Sequence, residues 1–376
     1  MTSLALGRRE SPVPWYVATT LVGSLSIVVG LLWDISWHVT IGRDTFWTPA
    51  HLAIHLGGLL GGLTGGALVL QGTFLRTEGG PASIRFWGFL GPLGAWVAIW
   101  GALAMLTSAP FDDWWHSAYG LDVQIVSPPH SLLAFGMFGV QVGAMLLVLA
   151  AQNRAGNPVL TWAYVLSAGL LLAMAASFTM EYSDPNSQHA ARFFEVSAAL
   201  YPLFLVAFAW PTRLSFGATS IAGVYMLVRA AMTWILPLFE AHPRLAPIFN
   251  PVDHMWPTPF PLLLVLPALA IDLLLRSRER RSALVLAALL AMAFLVLFVP
   301  SQWLFSDFML SPWARNHFFG ADQWEYTAPP GDWRYRFWQL KTQPMNGGAL
   351  ATIALLAYLS CLLGILLGRF LRRVRR

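Results

Sequence analysis

Long apolar segments separated by short polar ones dominate the chain. Stretches of about 20 apolar residues recur along its length, and a helix of that length crosses the hydrocarbon layer of a membrane. The pattern predicts an all-α, polytopic transmembrane helical bundle of about ten spans. The predicted spans are 15–37, 51–75, 86–108, 130–152, 159–179, 190–211, 216–239, 258–275, 282–303 and 347–368.

Composition and charge agree with this prediction. The 376 residues are 57% hydrophobic and 11% charged, whereas roughly a quarter of the residues in a soluble domain are charged. With the N-terminus inside, most of the arginines that raise the pI to 9.7 fall in the cytoplasmic loops and tails. We therefore expect both termini in the cytoplasm, insertion in the cytoplasmic membrane and contact with anionic lipid, and no binding of nucleic acid.

The same topology places eight of the nine histidines on the extracytoplasmic side. The single cysteine, Cys361, lies within the last predicted span. One cysteine excludes an intrachain disulfide, a thiolate zinc cluster and an iron–sulfur centre. Any metal ion must therefore be held by nitrogen and oxygen ligands.

Two extracytoplasmic loops repeat one pattern of aspartate and histidine. In each loop an aspartate precedes a histidine by four residues, and a second histidine follows 13 or 14 residues later. Another aspartate lies six residues after the first histidine in both loops, at Asp44 and Asp122. The repeated set is Asp34, His38 and His51 in the first loop and Asp112, His116 and His130 in the second.

The spacing predicts two similar metal sites. Aspartate and histidine at i and i+4 lie on one face of a helix, in its last turn. Thr48-Pro49 and Ser127-Pro128 indicate an N-cap followed by proline at the first helical position. The second histidine of each loop, His51 or His130, is called the closing histidine. It then lies at the third helical position, where the helix dipole favours a neutral imidazole. One carboxylate and two imidazoles suit copper, zinc or Fe(II) and leave coordination positions open. A further histidine, His55, lies one turn beyond His51 and is either another ligand or a supporting group.

The first loop resembles the C subunit of the particulate methane and ammonia monooxygenases, whose pattern is Asp-x3-His-x12-His. The second loop is similar to that family's neighbouring site, Asn-x3-His-x13-His, with Asp112 where the family has asparagine. The resemblance covers roughly the first four helices. The matching residues are Asp34, Trp37, His38, Arg43, Asp44, Thr45, Thr48, Pro49 and His51 in the first loop and His116, Pro128 and His130 in the second.

The resemblance implies a copper site at Asp34, His38 and His51 that activates dioxygen to oxidise a small apolar substrate. It also implies a second metal site around Asp112. The alternative is a non-catalytic protein that loads copper or serves as a structural subunit of a membrane complex. An enzyme would need a quinol or a partner protein as electron donor, and a homo-oligomer or further membrane subunits are the other partners left open.

The sequence divides into a motif-bearing part, residues 1–156, and six further spans in residues 157–376. We expect an extracytoplasmic cap loop at about 304–346, because loops of this length are commonly functional. An arginine at membrane depth, Arg229, indicates either a functional site or a strut paired with Glu195. It also weakly favours a third class, a transporter. A zinc protease is disfavoured because Leu52 replaces the glutamate of the HExxH motif.

Overall fold

Ten long helices form the part of the chain that the structure describes. This structure is a computed structural model, and it describes residues 12–42, 45, 47–75, 83–120, 127–323, 325–327 and 343–375. A short hairpin of β1 (Ile84–Phe86) and β2 (Phe89–Gly91) precedes the third helix. The helices are α1 (Trp15–Thr40), α2 (Pro49–Leu70), α3 (Leu93–Tyr119), α4 (Pro128–Arg154), α5 (Pro158–Ser177), α6 (Ala191–Ala209), α7 (Gly217–Ile235), α8 (Val265–Leu275), α9 (Ala283–Leu310) and α10 (Gly347–Leu371).

Nine of the helices within these ranges are long and apolar enough to cross a membrane. The prediction of an all-α, polytopic membrane protein is thus confirmed. The exception is α8, whose 11 residues extend only about 16 Å at 1.5 Å per residue. The eighth predicted span therefore contains a helix that is too short to cross a membrane by itself, preceded by non-helical chain.

The predicted start of the eighth span, at residue 258, was wrong for its helix, because the helix begins at Val265. Prolines at 257, 259 and 261 lack the N–H that a helix needs and disfavour the helical conformation at each preceding residue. The extended chain is nevertheless buried, with Thr258 fully enclosed. Side chains replace the missing helical hydrogen bonds: the N–H of Leu262 donates to the Tyr225 hydroxyl at 3.1 Å and that of Leu263 to Gln302 at 2.9 Å.

Both described ends of the chain lie at one end of the bundle. At the C-terminus of α4, the Arg154 guanidinium donates to the carbonyl of Arg375 at 2.9 Å and to the Tyr16 hydroxyl at 3.0 Å. We call this end the arginine end, because Arg213 and Arg372 also bind at its helix termini, to the Ala155 carbonyl and Glu279 respectively. The opposite end, where α1 ends and α2 begins, is the histidine end.

The helices α1 to α4 form two hairpins that pack through glycine. A Cβ on Gly57 of α2 would lie 2.5 Å from the Gly23 carbonyl oxygen of α1. In the second hairpin, a Cβ on Gly101 of α3 would lie 2.5 Å from the Val140 nitrogen of α4. Small residues let the two backbones of each hairpin approach closely. One continuous core joins these hairpins to the remaining helices, since α5 packs against both α1 and α4.

Replacement of Gly101 by alanine is expected to destabilise the bundle, because the added methyl would overlap the backbone of α4. Overpacking of this kind costs about 1–3 kcal/mol. Gly66 of α2 is the matched control, since no atom lies within 4 Å of a Cβ placed on it. Gly66→Ala is expected to leave stability unchanged or to raise it, because alanine favours the helix. Thermal unfolding in detergent measures both, and equal stability of the two variants would contradict the close approach.

Candidate metal centre

The first aspartate–histidine set meets where α1 ends and α2 begins. Asp34 and His38 lie one turn apart on α1, and the His38 Nε2 is 3.8 Å from the Asp34 Oδ2. His51 lies in the first turn of α2, and its Nε2 is 3.1 Å from the Asp34 Oδ1. One ligand atom from each of the three residues lies within 4.8 Å of the other two. Ligand atoms about 2.1 Å from one ion are separated by roughly 3.0–3.5 Å at bond angles of 90–110°, so the set is close to a coordination shell.

Hydrogen bonding fixes the ring of His51. Its Nδ1 lies 3.0 Å from the Thr45 carbonyl oxygen, which only accepts, so Nδ1 donates the proton. In the neutral ring the Nε2 lone pair then faces Asp34, whose Oδ1 is buried and accepts no hydrogen bond among the described residues. Two acceptors 3.1 Å apart repel one another. A cation between them removes the repulsion, and the ring orientation by a carbonyl is typical of histidine ligands to metals.

The second set has the same construction between α3 and α4. The Asp112 Oδ1 lies 3.4 Å from the His116 Nε2 and 3.7 Å from the His130 Nε2. The His116 Nδ1 lies 3.1 Å from the Gly120 carbonyl oxygen, which fixes the ring as at His51. The Asp112 Oδ1 is also buried without a hydrogen bond within the described chain.

The two sets differ in how closely their ligand atoms approach one another and in how far their aspartates are exposed to solvent. Among the described residues, only the first set brings three ligand atoms within 4.8 Å of one another. The Asp112 side chain is 35% exposed, against 19% for Asp34. Because water and open geometry weaken coordination, the second set is the weaker candidate. His55, half-buried on α2, lies outside the compact group formed by the first set.

The predicted first residues of the two helices that carry the closing histidines are confirmed. The helix α2 begins at Pro49 and α4 at Pro128, so His51 and His130 each occupy the third helical position. Ser127 caps α4, because its Oγ accepts from the His130 N–H at 3.4 Å. Thr48 does not cap α2 through its side chain. The motif residues Arg43, Asp44 and Asp122 lie outside the described residues.

The second part of the chain packs beside the first set. The Ser36 hydroxyl donates to the Trp256 carbonyl at 2.5 Å, and the Trp256 N–H donates to the Thr40 hydroxyl at 2.8 Å. Beyond α1, Gly42 has a φ of +79° and lies against the ring of Tyr326, where a side chain would clash. Tyr326 belongs to the predicted cap loop, so part of that loop contacts the segment joining His38 to His51.

The boundaries of the cap loop differ from the prediction. The helix α9 continues to Leu310, so the first seven residues of 304–346 are helical. Residues 324 and 328–342 of the loop lie outside the described residues. Farther along, the Trp234 indole N–H donates to the Phe318 carbonyl at 2.8 Å, which fixes the loop to the end of α7.

One histidine has a partner that sequence reasoning missed. The His189 Nε2 lies 2.9 Å from the Asp307 Oδ1, and its Nδ1 lies 3.2 Å from the Ser306 hydroxyl. The ring packs edge-on against Trp303 at 4.4 Å. His189 is one of the histidines predicted on the extracytoplasmic side, but its side chain is only 6% exposed. No local spacing signals this pair, because its members are 118 residues apart.

The remaining acidic and basic candidates pair locally. Arg192, one turn before Glu195 on α6, binds that carboxylate at 3.4 Å. The strut between Glu195 and Arg229 is therefore absent from the described contacts. Asp253 and His254 form a neighbouring pair at 2.9 Å, and the hydrogen bond from the imidazole holds the pKa of the Asp253 carboxyl below its ordinary value.

The fold defines the chain as an integral membrane protein with a helical bundle. Comparison with known proteins goes no further: no protein-family model matches the chain, and no curated protein or solved structure matches it. The resemblance to the monooxygenase C subunit stays an expectation that these comparisons neither support nor oppose.

Proposed function

We propose that the chain is a membrane metalloprotein that binds a copper ion through Asp34, His38 and His51. The observation that carries the proposal is the buried Asp34 Oδ1, which lies 3.1 Å from the His51 Nε2 and accepts no hydrogen bond from the described residues. A bound cation would compensate the carboxylate and use the imidazole lone pair at once. Zinc and Fe(II) are the alternative ions for this ligand set.

A second metal site at Asp112, His116 and His130 accompanies the first in this proposal. Its support is the same hydrogen-bonding pattern on a second helix pair. We expect weaker binding there, because its three ligand atoms do not form a group as compact as that of the first set, and its aspartate and closing histidine are more exposed. The glycine contacts within each hairpin maintain the approach of the two helices, and so determine whether the closing histidine reaches the aspartate–histidine pair.

For the activity, we propose oxidation of a small apolar substrate with dioxygen. A bound copper ion would supply the redox chemistry. The protein would hold the ligand rings in one orientation through the Thr45 and Gly120 carbonyls. Exposed apolar side chains beside the first set, Trp47 at 73% and Leu52 at 45% exposure, offer an apolar approach from the bilayer. Electrons would come from a quinol or a partner protein.

The proposed topology places the metal sites on the extracytoplasmic face of the cytoplasmic membrane. Arg154, Arg213 and Arg372 mark the opposite end of the bundle. Loops rich in arginine are retained in the cytoplasm. The histidine end then faces outward, where it is accessible to extracytoplasmic copper and to further subunits.

A non-catalytic role is the second candidate. The His38 side chain is 48% exposed and the His130 side chain 41%, so both sets are accessible from outside the bundle. Accessible ligands suit a protein that receives or transfers a metal ion. Such a protein would load copper or act as a structural subunit of a larger membrane complex.

Metal analysis of the purified protein tests the proposal. We expect two copper equivalents in the wild type, and one after either His38→Ala or His116→Ala, because each substitution removes a ligand from a single set. Electron spin resonance of Cu(II) should lose one of two signals in each variant. His317→Ala serves as the control. Unchanged metal content in both ligand variants would contradict the two-site proposal.

A turnover assay distinguishes an enzyme from a non-catalytic metal-binding protein. The copper-loaded protein is supplied with a quinol, dioxygen and a small hydrocarbon or ammonia. Oxidised product that depends on His38 supports the enzyme. Stoichiometric copper without product supports the loading or structural role.

A further inference from the structure

A buried arginine in the second part of the chain has no acidic partner among the described residues. Arg229 lies on α7 and is 4% exposed. Six residues separate it from Ile235, the end of the helix, which places it roughly 9 Å inside at 1.5 Å per residue. An uncompensated charge at this depth is costly, so intramembrane arginines pair with an anion or line a polar cavity.

The groups around the Arg229 guanidinium are neutral. It donates to the Ser177 hydroxyl at 3.2 Å, to the Met180 sulfur at 3.4 Å and to the Pro259 carbonyl oxygen at 3.4 Å. Its buried Nε has no hydrogen-bond partner within the described chain. These acceptors carry no charge, so they do not neutralise the guanidinium.

Two acidic residues on the neighbouring helices α6 and α8 have other partners. Glu195 binds Arg192 at 3.4 Å. On α8, the Asp272 carboxylate accepts from the backbone N–H groups of Ala218 and Thr219 at 2.9 and 2.8 Å. Those N–H groups begin α7, at the arginine end of the bundle and about three turns from Arg229.

A small cavity lies beside the guanidinium at the break before α8. Its free space is about that of one water-sized particle. Hydroxyl-bearing residues face it together with Arg229, and the extended chain closes one side. The lining residues are Ala176, Met180, Ser183, Tyr201, Tyr225, Arg229, Pro259, Phe260 and Leu262.

A second cavity continues from the first toward the histidine end. The two share Ser183, Pro259 and Phe260 in their walls. The second is also lined by Asp184, by Gln188 and by Gly320 of the loop after α9, and most of its other walls are apolar. The two cavities therefore lie between that loop and the guanidinium.

We propose that Arg229 and the surrounding hydroxyls form a binding site for a small monovalent anion. The guanidinium Nε is the unused donor, and the charge of the ligand would compensate the buried cation. The N-terminus of α8 begins three residues after Leu262 and adds a positive dipole end near the cavity. Broken membrane helices commonly provide such sites. The size of the cavity restricts the ligand to an ion of about the size of chloride.

The test is anion-dependent thermal unfolding of the full chain in neutral detergent. Sodium gluconate, whose anion is too large for the cavity, is replaced by chloride or formate at constant ionic strength. We expect the unfolding temperature to rise by about 3 °C when the anion exceeds its dissociation constant about 100-fold, and Arg229→Gln to lose the rise. A response to chloride is the expected result, whereas a response to formate alone would overturn a site of this size.

Two further variants keep the test decisive. Arg213→Gln removes an exposed arginine at the arginine end and should keep the full response. If Arg229→Gln does not fold, Tyr225→Phe removes one hydroxyl while leaving the charge, and should weaken apparent anion affinity several-fold. A wild type insensitive to both anions would overturn the proposal. So would an unchanged response in Arg229→Gln, or in Tyr225→Phe where Arg229→Gln does not fold.

Discussion

Asp34→Asn is expected to weaken metal binding at the first set by roughly 100-fold, because it removes the only carboxylate ligand there. The estimate divides the 10–16 kcal/mol that structural zinc sites gain among four ligands, which gives about 3 kcal/mol for each ligand. Asparagine keeps the shape of the side chain, so the position of α1 against α2 should not change. Metal titration of the purified protein measures the affinity.

The same substitution is expected to raise, or at least maintain, the stability of the metal-free protein. In the wild type the buried Asp34 Oδ1 faces the His51 Nε2 at 3.1 Å without a hydrogen bond from the described residues. The amide of asparagine can donate to that nitrogen, a gain of about 1 kcal/mol. The opposite signs of the two effects distinguish a metal site from a structural ion pair.

Thermal unfolding with and without copper provides this comparison. Asp253→Asn is the control, since Asp253 is an exposed aspartate paired only with its neighbour among the described contacts. It should leave metal affinity unchanged. If Asp34→Asn destabilises the metal-free protein as much as the loaded one, the carboxylate serves the fold and no metal site exists at Asp34.

Asp112→Asn is expected to remove metal from the second set while Asp113→Asn leaves it in place. The two aspartates are adjacent, so the change in charge and position along α3 is nearly the same. Only Asp112 directs a buried oxygen toward two imidazoles, at 3.4 and 3.7 Å, whereas Asp113 is exposed. The first set should keep its ion in both variants, because its ligands lie on α1 and α2.

Copper stoichiometry and spin resonance measured on both variants decide this prediction. Loss of one equivalent in Asp112→Asn alone is the expected result. Equal loss in both variants would mean that general negative charge attracts copper to this end of α3. Retention of two equivalents in both would exclude Asp112 as a ligand.

Much of the fold could be predicted because a membrane span is determined by consecutive residues in the sequence. About 20 consecutive apolar residues identify a span wherever its neighbours lie, and nine helices in the described ranges meet this condition. The eighth span shows the limit of that reasoning. Its apolar content predicted a full helix, but three closely spaced prolines delay the helix to Val265. Side chains from other helices, among them the hydroxyl of Tyr225 and the amide of Gln302, bind the backbone of the extended chain instead.

Half of each candidate site could be predicted for the same reason. Asp34 and His38 share a face because they are four residues apart on one helix, and proline fixed the start of α2 two residues before His51. The approach of His51 to Asp34 depends on two helices, and local spacing does not determine it. The pair of His189 and Asp307 was missed altogether, because it joins residues far apart in sequence.

The sequence by itself determined that this is a helical membrane protein, roughly where nine of its spans lie, and which aspartates and histidines of the two motifs share a helix face. These properties follow from runs of apolar residues, from prolines and from the helical repeat, all of which act within a few turns. Only the tertiary structure decided that each closing histidine lies within about 4 Å of its aspartate. It alone showed that both aspartate oxygens are buried without a hydrogen bond from the described residues, and that Arg229 lies beside a cavity without an acidic partner among them. Burial and unmet hydrogen bonds are properties of packed neighbours from distant parts of the chain, so no single segment encodes them.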